Sequence, residues 1–459
     1  MPGVVRDSMT EDALFSTAGA CGARYLTAVR GRRVAPDPAD VARLRALGGP
    51  VPETETDPAE VVRLLDEIGS PATVAISGGR YFGVVTGGAL PAARAASVLA
   101  AAWDQNAGLR VMSPTAAALE DIAIGWMTDL LHLPGDCTVG FVTGATMANF
   151  SCLAAARNHL LARAGWDVEA DGLFGAPPLT VIVGDEVHVS ALKALALVGL
   201  GRDRVVRVAT DDQGRLRADR LPQLTANTIV CLQAGNVNTG SFDPFADACA
   251  SARAAGAWVH VDGAFGLWAA ASPEHAHLVA GLDRADSWAT DAHKWLNVPY
   301  DCGLAFVRHG EAFQRSMQAQ AAYLTAGAER EPMYTTPEAS RRARGVEVWA
   351  ALRSLGREGL RKLIAGNCAH AGRFADGLRS AGHSVLNEVV LNQVLVAFAD
   401  DAHTQRVIDA VQRDGTCWCG GTRWHGRAAM RISVSSWATT DEDVEISLAA
   451  ILDAANETR

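Results

Sequence analysis

Lys294 is one of three lysines in the chain, with Lys193 and Lys362, in a sequence that otherwise takes its cations from arginine. It stands in Asp291-Ala292-His293-Lys294-Trp295-Leu296-Asn297, an apolar segment behind a predicted strand. Arginine stays protonated and cannot act there as a nucleophile, whereas a lysine amine taken out of water loses its proton and condenses with a carbonyl. A lone lysine also reads as a surface ion-pair residue. Three more segments favour the chemical reading.

Asp262 lies in His260-Val261-Asp262-Gly263-Ala264-Phe265-Gly266, at the end of an apolar run, so its carboxylate is expected to be buried. A buried carboxylate needs a cation or hydrogen-bond donors. A protonated pyridine nitrogen meets that need, as do arginine or a metal, and Gly263 and Ala264 leave flat space beside it. His188, in Gly184-Asp185-Glu186-Val187-His188-Val189-Ser190, follows another predicted strand. There it can stack on a planar ligand, relay protons, or serve as a hydrogen-bonded structural residue. Thr143-Gly144-Ala145-Thr146-Met147-Ala148-Asn149 enters a predicted helix with small residues whose free N–H groups can hold a phosphate. A Schiff-base lysine, a pyridinium carboxylate, a ring-stacking histidine and a phosphate cradle are together the parts that pyridoxal phosphate requires of a protein.

These segments fall at the C-terminal edges of predicted strands, where open α/β sheets bind ligands. Strands are expected at 180–183, 205–208, 229–232, 258–261, 287–290 and 304–307, with a helix opening near Thr146. Short apolar runs alternating with longer helical patterns mark an α/β domain with a mostly parallel sheet. Residues 1–75 read as an N-terminal helical segment broken by prolines, with helical spacing over 59–68. Residues 76–345 form the expected large domain. From 346 to 459 the pattern becomes a smaller α+β domain: helices at 346–355, 360–380, 403–413 and 441–454, strands at 393–398 and 429–434. Thr440 caps the last helix ahead of an acidic first turn.

The 459 residues, 49% hydrophobic and 20% charged, describe a globular chain with a large core. A net charge of -10 and the lack of a basic stripe argue against nucleic acid. The first residues carry acids where a signal peptide has a basic then apolar stretch, and no apolar run reaches membrane-spanning length. The nine cysteines form no Cys-x-x-Cys pair; Cys417 and Cys419 have no histidine partners, so no metal site and reduced thiols in a cytoplasmic setting are expected.

The order and text of the motifs resemble the group II pyridoxal-phosphate decarboxylases, the family of aromatic-L-amino-acid, histidine and glutamate decarboxylases, from about Tyr81 to the C-terminus. Asp262 and His293-Lys294-Trp295 carry the likeness most specifically. The resemblance implies an aspartate-aminotransferase-like fold (fold type I) and pyridoxal 5'-phosphate as cofactor. It implies Lys294 as the aldimine lysine, Asp262 as the pyridinium partner and His188 as the stacked histidine. Ala145 and Thr146 become phosphate ligands with His293 beside them, and Ala264 packs on the ring. Asn236 falls where the family usually has threonine, near Asp262. Arg80-Tyr81-Phe82-Gly83 is similar to the family's substrate-pocket segment, placing Tyr81 and Phe82 in the pocket. Ser340-Arg341-Arg342 resembles its Arg-rich segment near a dimer interface, implying a homodimer. In the family a loop tyrosine donates a proton in the neighbouring subunit's site; Tyr334 is the candidate, with Tyr323 competing. Arg431, a charge in an apolar strand, reads either as a substrate-carboxylate ligand or as an ion-pair partner of the last helix. The implied activity is decarboxylation of an L-amino acid to its amine, the pocket segments tilting toward an apolar or aromatic side chain. Aldehyde-forming oxidative decarboxylation, transamination and carbon–carbon lysis are the fold's other reactions; an inactive scaffold has no use for the lysine.

Overall fold

The computed structural model describes residues 10–318 and 329–459. All six runs expected as strands in the large domain are strands: β2 (Thr180–Gly184), β3 (Val206–Val208), β4 (Thr228–Gln233), β5 (Trp258–Asp262), β6 (Ser287–Asp291) and β7 (Gly303–Val307). A seventh, β1 (Thr138–Val142), precedes them. The sheet order is β1-β7-β6-β5-β4-β2-β3, and only β7 runs antiparallel to its neighbours.

Helices cover both faces, so the central strands are buried on both sides and read as near-continuous apolar runs. Strand periodicity then deals alternate residues to two cores. Ile229 and Cys231 of β4 pack on one face with Cys152 and Leu153 of the helix Ala145–Arg163. Val230 and Leu232 pack on the other with Trp268 and Trp288.

The second sheet, order β10-β11-β9-β8, is antiparallel and comprises β8 (Ser384–Val385), β9 (Gln393–Ala397), β10 (Gly420–Trp424) and β11 (Arg427–Ser433). Its core takes Val407 and Ile408 from the helix Asp401–Asp414 and Ile451 from Asp441–Glu457. Thr440 caps the latter in a reciprocal capping box with Asp443.

The two helices expected at 346–355 and 360–380 run together as Gly345–Ser380, with non-helical backbone at Gly356 (φ 59°). Glycine alone takes this angle cheaply, so the chain bends where the expected break falls. Val348, Leu352, Leu360 and Ile364 pack against the large sheet's core, whereas Ala371, Phe374 and Leu378 pack against the small sheet.

Toward the N-terminus, helices Glu11–Ala28, Pro38–Arg43 and Pro58–Leu64 contain no buried residue. The helix expected over 59–68 is α-helical only to Leu64 and widens into a π turn at Leu65–Gly69.

Candidate active site

Parallel strands deliver the site. β2 ends before His188, β4 before Gly235 and Val237, β5 at Asp262 and β6 just ahead of Lys294. His188, Asp262, Ala264 and Lys294 line one cavity, together with Gln233, Gly235, Val237 and Phe265. Val84, Val85 and Arg431 complete its wall.

Lys294 sits in the turn joining β6 to β7. Trp295 is fully buried and donates to Asn367 Oδ1 (2.9 Å), so the turn is fixed in the core. Asn297, in left-handed backbone (φ 58°), ties that turn to two other segments. Its Nδ2 donates to Trp295 O (2.8 Å) and Ser435 O (2.9 Å), while its Oδ1 accepts from Gly88 N (2.7 Å) and Trp437 N (3.0 Å). Gly87 (φ 67°) passes so close that a β-carbon would collide with the Lys294 carbonyl.

Asp291 is the residue the sequence reading overlooked. It is 2% exposed, and its Oδ2 lies 3.0 Å from Lys294 Nζ. Its Oδ1 accepts from Ala145 N (2.5 Å) and lies 3.7 Å from His293 Nε2. The signal was in the same heptapeptide: an acid three residues before a buried lysine.

Asp262, 6% exposed, accepts from Asn149 Nδ2 (3.0 Å) through Oδ2 and from Ala264 N (3.2 Å) through Oδ1. Neither partner is a cation, leaving the charge available to a protonated ligand nitrogen. His188 caps the helix Val189–Leu197: its Nδ1 accepts from Ser190 N (3.3 Å) and lies 2.7 Å from Ser190 Oγ. Nδ1 is thus the acceptor, and Nε2 carries the hydrogen. Burial holds the His188 pKa below its usual value, with the nearby Asp262 charge opposing it.

Ala148 N makes the first turn-closing bond of its helix, to Gly144 O (2.9 Å). The amides of Ala145, Thr146 and Met147 therefore lie in the unpaired first turn, open to an anion. Only Ala145 has a partner, the Asp291 carboxylate. His293 lies against this turn, where a β-carbon on Gly144 would sit 3.2 Å from His293 Cε1. Cys302 N donates to His293 Nδ1 (3.1 Å), and burial lowers the His293 pKa. A helix start already holding a carboxylate, a ring-nitrogen partner and an amine on the same strand edge fit pyridoxal phosphate.

Four expectations change. Asn236 does not reach Asp262; it is a turn residue whose Oδ1 accepts from Asn238 N (2.9 Å) and Thr239 N (3.3 Å), while Gly235 and Val237 face the cavity. Phe82 is 1% exposed in the small-sheet core, edge-on to Phe374 at 5.0 Å. Tyr81 stacks on Trp418 (5.1 Å) beside the cavity, and Val84 and Val85 supply its wall. Both valines hold positive φ (44° and 50°), a strained conformation for β-branched residues. Tyr334, 8% exposed in the turn Pro332–Thr335, is not brought to this chain's cavity. Thr335 Oγ1 donates to Val139 O (3.1 Å) and fastens the turn to edge strand β1. Tyr323 lies outside the described residues.

The ion-pair alternative for Arg431 is not met. The residue forms no ion pair with the last helix; it lines the cavity, its Nη1 donating to Asn238 Oδ1 (3.4 Å). Its Nε is buried without a partner. Gln233, also missed, donates from Nε2 to Glu186 O (2.9 Å). The Arg341 of the Arg-rich segment is fully buried, paired with Glu120 and donating to Ala107 O (2.9 Å).

Residues 84–399 match the model of the pyridoxal-dependent decarboxylase conserved domain. The chain belongs to the pyridoxal-dependent decarboxylases. Pyridoxal phosphate is the cofactor this family takes, in agreement with the residues around Lys294. Among relatives of this chain, L-tyrosine/L-DOPA decarboxylase 2 of Lophophora williamsii is 28% identical over 330 residues. That match covers 66% of this chain and 61% of the relative. Tryptophan decarboxylase 1 of Oryza sativa subsp. japonica is 28% identical over 388 residues, covering 75% and 74%. The crystal structure of Oryza sativa TDC with PLP and tryptamine superposes with a TM-score of 0.90 at 23% identity, over 99% of both chains.

Proposed function

We propose that this chain removes carbon dioxide from an L-amino acid with an apolar or aromatic side chain and releases the amine. The observation that carries the reading is one cavity holding Lys294, Asp262 and His188 with a half-buried cation, Arg431, whose buried Nε has no partner. Pyridoxal phosphate, when bound, supplies an electron-accepting ring that draws in the electron pair left as carbon dioxide departs. Lys294 Nζ is the amine that carries the cofactor. The open amides of Thr146 and Met147 would hold its phosphate, beside His293 and Ala145, whose own amide is taken by Asp291. Asp262, with its two donors already fixed, would partner the ring nitrogen.

Arg431 holds the substrate carboxylate, because a cation removed from water with one neutral acceptor is stabilised by an incoming anion. His188, lining the same cavity with Nδ1 already engaged, would lie against the ring and could pass a proton at Nε2. Val84, Val85, Val237 and Phe265 give the cavity apolar walls, and among the described residues its only lining cation beside Lys294 is Arg431. That supports a side chain without a second acid, as do relatives named for tyrosine and tryptophan. Tyr334 can serve as donor only in a neighbouring subunit, so its role stands as a separate, testable assignment.

A panel of L-amino acids assayed for carbon dioxide, amine, ammonia and peroxide tests the reading. Equal carbon dioxide and amine, without ammonia or peroxide, is expected. Peroxide with ammonia makes the enzyme an aldehyde former, and product without carbon dioxide refutes decarboxylation.

We further propose a homodimer, with the three-part division at 75/76 and 345/346. The helix Glu11–Ala28 buries no residue and, with Pro91–Trp103, lines an apolar groove that includes Phe15, Leu26 and Val98. Val111 is 84% exposed nearby in sequence. Such surface supports burial against a second copy, and sedimentation at micromolar concentration distinguishes dimer from monomer. A cytoplasmic setting is supported by nine unpaired cysteines. No described helix is long and apolar enough to cross a membrane.

A further inference from the structure

Behind Asp262 runs a chain of buried hydrogen bonds that the reaction above does not call on. Asn149 Nδ2 donates to Asp262 Oδ2 (3.0 Å), and Asn149 Oδ1 lies 2.8 Å from His260 Nε2. His260 Nδ1 lies 3.0 Å from Ser287 Oγ, which accepts from Trp258 Nε1 (3.0 Å). Asn149, His260 and Ser287 are wholly buried.

The direction of every link follows from what each atom can do. A carboxylate oxygen only accepts, so Asn149 turns its amide nitrogen to Asp262 and its oxygen to His260. That oxygen only accepts, so His260 carries its hydrogen on Nε2. Burial pushes the His260 pKa down to about 4, so near neutral pH the ring has one N–H and Nδ1 must accept. Ser287 Oγ therefore donates to Nδ1, and the indole of Trp258, which only donates, supplies the far end. All four donors point toward Asp262, an arrangement in which successive bonds polarise one another.

We propose that His260 and Ser287 are positioning residues that act through Asn149 to orient the Asp262 carboxylate for the cofactor's ring nitrogen. The residues come from β5, β6 and the helix Ala145–Arg163, so the same packing that forms the core sets the angle of the carboxylate. Without His260, Asn149 loses the donor that fixes its amide. Its oxygen can then turn toward Asp262, replacing a donor with a repelling acceptor.

The proposal rests on Asp262 as the ring's partner, and the test separates the two claims. Cofactor is removed from wild type, His260→Phe, His260→Gln and Ser287→Ala, and pyridoxal phosphate is titrated back by absorbance alongside kcat and KM. His260→Phe keeps a ring but offers no donor; a glutamine amide can reach the Nε2 position. The expected result is a roughly tenfold weaker cofactor affinity and a shifted absorption band for His260→Phe. Its kcat should fall at least tenfold with KM within about twofold. His260→Gln should recover most of both, and Ser287→Ala should show a smaller change of the same kind. Unchanged affinity, spectrum and kcat in His260→Phe, with only a lower Tm, overturns the proposal. Should that variant not fold, wild-type affinity and spectrum in Ser287→Ala overturn it equally. Failure of wild type itself to bind the cofactor would sink the Asp262 assignment instead.

Discussion

Replacing Arg431 with methionine should push stability and activity in opposite directions. The guanidinium of Arg431 donates to one neutral amide oxygen at 3.4 Å, and its Nε has no partner. Burial lowers its pKa, weakly opposed by Tyr81, as expected for a cation short of counter-charge. An unpaired ion costs several kcal/mol when fully buried. Arg431 is half-buried, so about 1 kcal/mol is the reasonable scale. Methionine keeps the apolar stem in β11, opposite Leu395 of β9 and Gly420 of β10. The cofactor-free variant should therefore melt roughly 2 °C higher than wild type. Losing the cation that holds the substrate carboxylate should cost about 2–4 kcal/mol of transition-state stabilisation, or roughly 30- to 1,000-fold in kcat/KM. Thermal denaturation without cofactor and initial rates of carbon dioxide release read the two effects separately. A variant that melts several degrees lower while keeping kcat/KM within threefold would refute the reasoning, since Arg431 would then be structural.

Three further outcomes follow from the geometry. Asp291→Asn removes the carboxylate that occupies Ala145 N and sits 3.0 Å from Lys294 Nζ. The phosphate then meets less repulsion, so fluorescence titration should show several-fold tighter cofactor binding; weaker binding would mean that Asp291 acts chiefly by holding the lysine. Tyr334→Phe should leave amine as the sole product if the residue only packs on β1, and a new aldehyde or peroxide product would restore its donor role. Acid should destabilise the cofactor-free protein, because burial pushes His159 and His260 from 6.5 down to about 4. The unfolded chain takes up those protons first, so their stabilisation is full above about pH 6.5 and is lost as pH falls toward 4. Asp243, pushed up to about 6 by burial, works in the opposite sense but is outnumbered by the lowered histidines, which include His188 and His293. The urea midpoint should be lower at pH 5 than at pH 7.5, and an equal or higher midpoint would contradict this.

The catalytic strand edge was legible in the sequence because it is written locally. A buried strand reads as an apolar run, and the residue after it points to the ligand edge, which is how Asp262, His188 and Lys294 stand out. β1 escaped notice because Thr138–Val142 is short and broken by Gly140, and the brief β8 and β10 carry little pattern of their own. The errors at the site share a different cause. Whether Phe82 or Val85 faces the cavity is decided by how the segment crosses the small sheet, where Phe82 N donates to Trp418 O (2.8 Å). Asn236 was placed by position along the chain, but its side chain is consumed by its own turn. That the last helix offers Arg431 no acid, and that the Tyr334 turn is fastened to β1, can be seen only in the folded chain. Long-range partners of this kind leave no period and no spacing to read.

The central claim is that Lys294 carries the cofactor, and the chain's three lysines make the test direct. The protein loaded with pyridoxal phosphate is reduced with borohydride, digested, and the pyridoxyl-labelled residue located by mass spectrometry. The label is expected on Lys294 alone, and Lys294→Ala should lose both label and carbon dioxide release. A label on Lys193 or Lys362, or turnover surviving in Lys294→Ala, would contradict the account.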